Sequence, residues 1–538
     1  MDSPPSLESM VEVDISSSGP RPSASDISMS QIEGNLPTRY LAALKKDEVG
    51  YSTRPILRDH LRQGELVDIH LQGFTTVQDY DSPHDPRNPQ NWSNWKKWYC
   101  IFVIGTMCFV NNVGASIISL ALPTIAEDFH TSRTVATLGL SLYVLGLGIG
   151  PILSAPLSEQ FGRKNIYKVS YTMFIFVQLP AAMGPPNVNL GAWLFFRLMA
   201  GVFASPGPAV GSGTVADIFP APARAFPMLV FVASAFSGAA FGPVLSGIII
   251  SYYNWRWTIW TTMIISACLF PFIYFMPETY QSTILDKDVQ NRQLHGERVL
   301  RPDKERLEKT LWFAMSRPVT LLVTEPIVLL FSIYSGFVYM LLYGFTSSLP
   351  HIFRTVYSFT VLQSGLPFLA ICLGIILTVP IYLFFFEPLY TKRTFPVPPE
   401  ARLPSMVPPA IAMVVALFLF AWTAGLGVHW IVPVIAVCIF GYAALGLFVP
   451  HIAYITDCYP IVAASVSGAN GLLRYSLGCI FPLFSRMMVE NLGVKWSMTI
   501  LGGIAALMLP LPLIFMRYGT LIRQHGKFSR YARERTMV

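Results

Sequence analysis

Long runs of apolar residues, broken by short polar segments, follow one another from Trp98 to Tyr518. Each run is about 20 residues long, the length at which a helix crosses the hydrocarbon of a bilayer. Because lipid offers the backbone no hydrogen-bonding partner, a spanning segment has to be a helix. The pattern therefore predicts an all-α membrane protein with twelve transmembrane helices. The predicted spans, numbered in chain order, are 98–121, 135–156, 166–184, 190–214, 226–250, 257–276, 325–348, 361–386, 405–427, 430–455, 462–488 and 495–517.

A polar, charged segment from Pro277 to Thr324 separates the first six runs from the last six. Two equal helical halves indicate an internal repeat, the arrangement in which a central site opens alternately to the two sides of a membrane. We expect disorder from Met1 to about Asn91, since this polar sequence buries too little apolar area to offset the entropy of ordering. The predicted parts are a disordered cytosolic tail 1–95, a six-helix half 96–276, a cytosolic central loop 277–324, a six-helix half 325–518 and a cytosolic tail 519–538.

The composition supports a protein whose main solvent is lipid. Hydrophobic residues make up 53% of the chain and charged residues only 13%, and the mean hydropathy is +0.48. The net charge of +7 resides mostly in loops and tails, where membrane topology explains it without a nucleic-acid partner. The sequence contains no nucleophile–base set, phosphate-binding loop or metal-type cysteine spacing, so we expect neither an enzyme nor a bound metal or cofactor.

Lysine and arginine mark one face of the membrane. They are frequent in the loops that follow spans 2, 4, 6 and 8 and scarce in the alternate loops, and basic loops stay in the cytosol. Both termini and the central loop are therefore predicted to be cytosolic. The sequon Asn91-Trp92-Ser93 then also faces the cytosol, so Asn91 should carry no glycan. The basic residues outside the central loop that support this orientation are Arg163, Lys164, Lys168, Arg224, Lys392, Arg393 and Arg402.

The loop between spans 2 and 3 carries a carboxylate, a glycine turn and two cations: Glu159, Gly162, Arg163 and Lys164. Charges at helix ends can form ion pairs that hold one conformation and break in the other. Asp217, at the predicted cytosolic end of span 4, is the expected partner, and the five residues form a predicted cytoplasmic latch. The alternative is a solvated loop whose cations only reflect topology.

Ionisable groups inside the spans are candidates for proton coupling. We find no carboxylate near the middle of a span, which leaves Arg197 in span 4, His451 in span 10 and Arg474 in span 11. An arginine at the depth of Arg197 costs at least about 2.5 kcal/mol unless it faces a cavity or a partner, or reaches back to the interface. Histidine titrates near neutral pH, although a single histidine also often makes a structural hydrogen bond.

Two further patterns concern helix contact and the substrate. Small residues recur every four positions in span 5, which lets another backbone approach one face of the helix. Span 7 offers two tyrosines at i,i+4, and span 1 offers two amides, which suits flat amphipathic guests, although aromatic packing between helices explains the same residues. The span-5 positions are Gly238, Gly242, Pro243 and Gly247, and the candidate cavity residues are Asn111, Asn112, Arg197, Tyr339 and Tyr343.

The loop Ala155-Pro156-Leu157-Ser158-Glu159-Gln160-Phe161-Gly162-Arg163-Lys164 resembles the signature of the major facilitator superfamily, Gly-x-Leu-x-Asp-Arg-x-Gly-Arg-Arg/Lys, with Ala155, Glu159 and Gln160 as departures. The strings Asn88-Pro89-Gln90-Asn91-Trp92-Ser93, Pro277-Glu278-Thr279-Tyr280, Pro399-Glu400-Ala401-Arg402-Leu403 and Leu492-Gly493-Val494-Lys495-Trp496 are similar to those of its fungal drug:proton antiporter family with twelve spans. The resemblance covers the chain from about Asp85 onward.

The resemblance implies a major facilitator fold, a buried arginine at position 197 that influences the proton-carrying group, and a Gly-Pro motif at Gly242-Pro243 that limits leak through the outer gate. Relatives that export polyamines or cationic drugs often have an acidic residue where this chain has Ser348. We expect proton-coupled efflux of drugs, toxins or a lipophilic aromatic metabolite. The alternatives are a proton-coupled nutrient importer and a non-transporting membrane sensor. The expected partners are a small lipophilic substrate, protons and the bilayer. A monomer in the plasma membrane, or in a vacuolar or vesicle membrane, is expected.

Overall fold

The computed structural model describes residues 75–76, 79–82, 84–220, 223–295, 299–300, 307–388, 398–425, 427–459 and 463–525. The predicted disorder of residues 1–74, the loop cations Lys392 and Arg393, and the tail beyond residue 525 lie outside the described residues.

The first half forms six spans and one short connecting helix. Its helices are Asn94–Ser116 (span 1), Leu122–Asp128 (connecting), Arg133–Phe161 (span 2), Arg163–Met183 (span 3), Leu190–Ala204 with Pro206–Ile218 (span 4), Ala225–Tyr252 (span 5) and Arg256–Phe275 (span 6). Span 4 consists of two helices because Pro206 lacks the N–H that would continue the ladder.

The second half forms the other six spans. Its helices are Pro326–Val356 (span 7), Val361–Gly365 with Pro367–Ile381 and the π-helical turn Tyr382–Phe386 (span 8), Val407–Thr423 (span 9, after the 3-10 helix Pro399–Met406), Ile431–Cys458 (span 10), Ala463–Met508 and Pro510–His525. Gly493 interrupts the long stretch Ala463–Met508 with a φ of +73°, a conformation that glycine adopts readily, so span 11 ends and span 12 begins there.

Ten of the described helical stretches are long and apolar enough to cross a membrane. One of them, Ser465–Arg523, contains both span 11 and span 12. The more polar helix Arg163–Met183 supplies span 3, and the helices together correspond to the twelve predicted spans. The predicted tail from residue 519 remains helical as far as His525.

Two parts expected to lack regular structure are ordered. The central segment contains the helices Gln281–Leu294 and Leu307–Thr324, and the two-residue strands β1 (Thr75–Thr76) and β2 (Val299–Leu300) pair in parallel. The prediction of disorder up to Asn91 is wrong for its last residues. Arg87 donates hydrogen bonds to Asp85, which lowers the pKa of that carboxyl to about 2, and Asn91 donates to the Asp85 carbonyl at 2.9 Å.

Apolar side chains lie in two environments, between the helices of the bundle and on its outside. One set is buried between spans and includes most of span 1 and span 7. Another set of large apolar residues is exposed on the outside of the bundle, where lipid is the solvent; examples are Phe102, Phe176, Phe272, Ile376 and Ile435. We call the end that holds Arg163, Asp217 and Arg402 the inner end, following the predicted topology, and the opposite end the outer end.

Candidate functional site

Aromatic rings from both halves meet around one arginine in the middle of the bundle. This central cluster consists of Phe236 of span 5, Tyr339 and Tyr343 of span 7, Phe448 of span 10, and Arg474 and Tyr475 of span 11. Phe236, from the first half, lies 5.2 Å from Tyr339 and 5.1 Å from Phe448 between ring centroids. Every member is less than one tenth exposed, so the cluster is closed to water in this conformation.

Arg474 is held mainly by rings. Its guanidinium carbon lies 4.4 Å from the centroid of Tyr339, 4.8 Å from Phe448 and 4.6 Å from Tyr475. Within the described ranges its Nε has no hydrogen-bond partner, and no carboxylate lies within ion-pair distance. A desolvated cation–π contact contributes about 2 kcal/mol, whereas taking a charge out of water costs several kcal/mol. The rings therefore only partly offset the burial of this charge.

A hydrogen bond between the halves lies beside the central cluster. The Tyr343 hydroxyl donates to Asn112 Oδ1 at 3.1 Å, and Asn112 in turn donates to the Cys108 carbonyl of its own helix. Asn111 instead donates to the Ala204 carbonyl at 2.7 Å and ties span 1 to span 4. Within the described part of the chain, Asn112 and not Asn111 thus contacts the second half through a hydrogen bond.

Arg197 is buried in the first half and hydrogen-bonded to backbone. Its Nε donates to the Gly139 carbonyl and its Nη2 to the Gly114 carbonyl, both at 3.0 Å, and its guanidinium lies 4.6 Å from the Tyr143 ring. The side chain is only 1% exposed, so Arg197 does not reach back to the outer interface. It joins spans 1, 2 and 4 and does not belong to the cage of Arg474, which consists of the rings of Tyr339, Phe448 and Tyr475 around that guanidinium.

His451 belongs to a polar network on the inner side of the central cluster. Its Nε2 lies 3.2 Å from Asn470 Nδ2, and its ring stacks on Phe331 at 5.7 Å. Asn470 also donates to Ser335 at 2.8 Å. This network connects spans 7, 10 and 11. It agrees with the structural hydrogen bond that the sequence allowed for His451, and it also offers polar neighbours to a proton on the ring.

A carboxylate with no role predicted from the sequence caps the N-terminus of span 3. Glu278, which follows span 6, accepts hydrogen bonds from the backbone N–H groups of Arg163 at 2.9 Å and Lys164 at 3.2 Å. A negative charge at a helix N-terminus is stabilised by the unpaired N–H groups there. Gly162 has a φ of +89°, and a Cβ at this position would lie 2.5 Å from Glu278 Oε2. The turn thus needs a glycine for conformation and for space.

Arg163 contacts three groups at the inner end. Its Nε lies 3.3 Å from Asp217 Oδ2, its Nη1 donates to the Ser158 hydroxyl at 2.6 Å, and its guanidinium covers the Tyr280 ring at 4.7 Å. The Arg163 and Asp217 side chains are 11% and 21% exposed, so the pair is largely shielded from water. The structure brings together spans 2, 3 and 4 and the segment after span 6 at this point.

Two members of the predicted latch, Glu159 and Lys164, do not contribute a side chain to these contacts at the inner end. Glu159 is exposed and forms no ion pair within the described part of the chain, although the charge of Arg163 acts on it. The hydroxyl of Ser158, one residue earlier, accepts the hydrogen bond from Arg163. Lys164 contributes its backbone N–H. The only signal for Glu278 was its place in the string Pro277-Glu278-Thr279-Tyr280, and a contact across 115 residues cannot be read from spacing.

The second half has its own ion pairs at the inner end. Arg402 Nε lies 2.6 Å from Asp457 Oδ2, and Arg523 Nη2 lies 3.1 Å from Glu400 Oε1. The first pair joins the segment before span 9 to the end of span 10, as Arg163 and Asp217 join the start of span 3 to the end of span 4. Neither pair was predicted from the sequence.

The small-residue face of span 5 contacts two different helices. A Cβ on Gly238 would meet the Phe109 carbonyl, and one on Gly242 would meet Ser116 and lie 2.9 Å from the Ile117 nitrogen, so both glycines pack against span 1. The Pro243 carbonyl approaches Gly365, and Gly247 faces the Leu362 carbonyl, with 3.3 Å to a Cβ. Span 5 therefore packs against its own half at Gly238 and Gly242 and against span 8 of the other half at Pro243 and Gly247.

The described residues contain no group of three or more histidine, cysteine, aspartate or glutamate side chains that could hold a metal ion. The side chains near the middle of the bundle instead suit recognition by aromatic rings, by amides and by the buried guanidinium groups of Arg197 and Arg474.

Comparison with known proteins agrees with this architecture. A family model for the Major Facilitator Superfamily matches residues 104–482. The chain is 35% identical over 527 residues to Polyamine transporter 4 of Saccharomyces cerevisiae, covering 91% of this chain and 79% of that one. It is 33% identical over 470 residues to Fluconazole resistance protein 1 of the same yeast, covering 84% of each.

A solved structure of the proton:xylose symporter XylE superposes with a TM-score of 0.57 at 14% identity, covering 79% of this chain and 96% of that one. This similarity shows that the two proteins share a fold. The chain is therefore a membrane transporter and not an enzyme. It belongs to the major facilitator superfamily, with relatives among the fungal efflux-type transporters.

Proposed function

We propose that this protein exports planar, lipophilic aromatic molecules in exchange for protons. The observation that carries the proposal is the central cluster, where rings from both halves surround a buried guanidinium. Ligand sites in proteins are mostly apolar and aromatic, with a few polar groups that fix orientation. A flat aromatic guest can replace the ring-to-ring contacts between Phe236, Tyr339 and Phe448 when the halves separate.

Alternating access follows from the origin of these contacts. The Tyr343–Asn112 hydrogen bond and the Phe236 contacts join the two halves, whereas the Arg163–Asp217 pair lies within the first half. Rocking of one half against the other breaks the former set, exposes the central cluster to one side, and leaves each half intact as a body. Export requires that the inner end opens to admit the substrate and the outer end opens to release it.

Proton coupling is assigned to the buried polar groups. Arg197, His451 and Arg474 remain the coupling candidates, and His451 is the one whose ordinary pKa lies near neutrality. Its contact with Asn470 joins spans 10 and 11, so gain of a proton there would alter a contact beside the substrate. Arginine keeps its charge at any physiological pH and acts on the coupling through its field.

A second candidate function is polyamine export, favoured by the similarity to Polyamine transporter 4. The structure argues against it. The described central cluster contains Arg474 and no carboxylate, and a multivalent cation would meet repulsion in a low dielectric. Ser348 is buried and donates to the Gly344 carbonyl of its own helix at 3.0 Å. Glu325 is held at the inner end by the Tyr459 hydroxyl at 2.8 Å.

The proposal also includes the orientation of the protein in the membrane and the membrane in which it resides. Both termini and the central segment face the cytosol, the protein acts as a monomer in the plasma membrane, and Asn91 carries no glycan. A vacuolar or vesicle membrane would give the same orientation relative to the cytosol and would turn export from the cell into sequestration.

The test is flux in inside-out plasma-membrane vesicles from a pump-deficient yeast, with and without the chain, under an imposed pH gradient. We expect a fluorescent planar aromatic compound to accumulate in the vesicles only when their interior is acid. Uptake in right-side-out vesicles that is driven by an acid exterior would identify an importer, and absence of flux in both would identify a sensor. Resistance of the expressing yeast to spermine equal to its resistance to neutral aromatics would contradict the proposed substrate class.

A further inference from the structure

Arg474 has a buried charge that the protein itself leaves without a counter-ion. The side chain is only 8% exposed, its Nε has no hydrogen-bond partner within the described ranges, and no described carboxylate pairs with it. Arginine cannot escape this state by losing a proton. Buried charges in proteins are normally paired, so an unpaired one inside a transport site indicates that its partner arrives with the substrate.

The surroundings of Arg474 fit a ligand that combines a flat ring with a negative group. Tyr339, Phe448 and Tyr475 present ring faces to the guanidinium at 4.4 to 4.8 Å, so a planar guest that enters between them lies next to the cation. A carboxylate or an acidic enol accepts charge-assisted hydrogen bonds from a guanidinium, and a bidentate geometry adds specificity.

The position of the cage connects this contact to the transport cycle. Phe236, which closes the cage from the first half, touches Tyr339 and Phe448, and a Cβ on Gly148 of span 2 would lie 2.8 Å from the Tyr475 Cβ. Separation of the halves therefore uncovers the rings around Arg474. An anion bound there would be released when the inner end closes and the outer end opens.

Resting on the proposed export function, we infer that Arg474 is the anion-recognition residue of the central site and that the transported molecules are planar aromatics bearing one acidic group. Arg197, whose Nε and Nη2 both donate to backbone carbonyls, has no such role. The expected substrates are then aromatic acids and acidic phenols or enols, a narrower class than lipophilic aromatics in general.

The experiment measures equilibrium binding of radiolabelled naphthoic acid and its neutral amide, naphthamide, to the full-length protein in lipid nanodiscs at neutral pH. We expect the wild type to bind the acid at least about 10-fold more tightly than the amide. Arg474→Gln should lose this preference through weaker binding of the acid alone, and Arg474→Lys should keep part of it. Lys495→Gln, which removes a cation 3.9 Å from the Trp422 ring at the outer end, is the matched control and should keep the full preference.

Equal binding of acid and amide by the wild type would overturn the inference without any variant. An Arg474→Gln protein that keeps the preference, or a monodisperse one that loses both ligands equally, would also overturn it. Export itself is measured separately in vesicles. Export of the amide without any acid preference in binding would contradict only the role of Arg474, whereas an acid preference without outward flux would contradict only the proposed export.

Discussion

Each half of the protein buries one arginine near the middle of the bundle, and the two halves treat its charge differently. Arg197 donates to two backbone carbonyls of neighbouring spans, which gives its charge fixed partners. Arg474 is surrounded by rings and keeps an unpaired Nε within the described ranges. The first arrangement joins spans 1, 2 and 4, and the second leaves the charge of Arg474 available to the anionic guest that we propose. Two arginines at similar depth in the membrane can therefore have different surroundings.

The inner end of each half contains an arginine–aspartate ion pair, and the two pairs differ in their exposure to water. Arg163 and Asp217 are 11% and 21% exposed, while Arg402 and Asp457 are 22% and 36% exposed. Exposed ion pairs contribute about 0–1 kcal/mol because water competes with them, and shielded pairs cost more to break. Arg224, just before span 5, lies near both Asp217 and Asp457 and so links the two inner ends electrostatically.

The largest effect is expected from span 5, whose glycines have close neighbours, compared with span 11, whose Gly471 has none within 4 Å of a Cβ. Gly242→Leu should abolish export while the protein still reaches the membrane, because the side chain would enter the space of Ser116. Overpacking of about 1–3 kcal/mol changes a conformational equilibrium about 5- to 150-fold. Vesicle flux normalised to membrane abundance measures the effect, with Gly471→Ala as control. Export retained in Gly242→Leu would reduce this face to ordinary packing.

A charge reversal compares the inner pairs of the two halves. Arg163→Asp should lower the flux about 10-fold, since the shielded Asp217 then faces a like charge, and Asp217→Arg in the same protein should restore part of it. Arg402→Asp should lower the flux less, because its pair is more exposed. Initial rates of efflux measure both. A double variant no better than the worse single variant would argue against direct pairing of Arg163 and Asp217.

Stability should separate the two buried arginines. Arg197→Gln should lower the melting temperature of the purified protein, since glutamine cannot replace both carbonyl contacts and each hydrogen bond from a charged group contributes about 1.5–3 kcal/mol. Arg474→Gln should leave it unchanged or raise it, because the variant removes an unpaired buried charge. Thermal unfolding in detergent is the measurement. Equal loss of stability in both variants would mean that the ring cage holds Arg474 as firmly as the carbonyls hold Arg197.

The smallest effect concerns the ends of the chain. Removal of the sequon by Ser93→Ala should leave the electrophoretic mobility unchanged, because Asn91 is predicted to face the cytosol and to carry no glycan. Tags at both ends should be protected from protease added to intact cells. A mobility shift in Ser93→Ala, or cleavage of either tag from outside, would reverse the proposed orientation of both halves.

The sequence predicted what depends on local pattern. Apolar length gave the twelve spans, and the charge pattern gave the pairing of Arg163 with Asp217, two groups at neighbouring helix ends. Glu278 could not be assigned because its contact depends on how span 6 returns to the start of span 3. The cage of Arg474 requires side chains from spans 5, 7, 10 and 11, whose mutual rotation is set by packing and not by periodicity. The segment 277–324 was predicted to be a loop because it is polar and charged. Its helix Gln281–Leu294 has little apolar periodicity, whereas Leu307–Thr324 is amphipathic, a signal that composition alone does not use.

The two contacts of span 5 also bear on how a cell tolerates this protein when no substrate is present. A Cβ on Gly242 would be crowded by span 1, whereas the approach of Gly247 to span 8 leaves 3.3 Å. The contact with span 8 joins the two halves and must part for release, so we expect the contact with span 1, within the first half, to remain as a barrier to water and hydronium. We expect idle expression to leave cytosolic pH and growth in acid medium unaffected. Gly242→Ala should acidify the cytosol under the same conditions, a burden that a ratiometric pH reporter would detect.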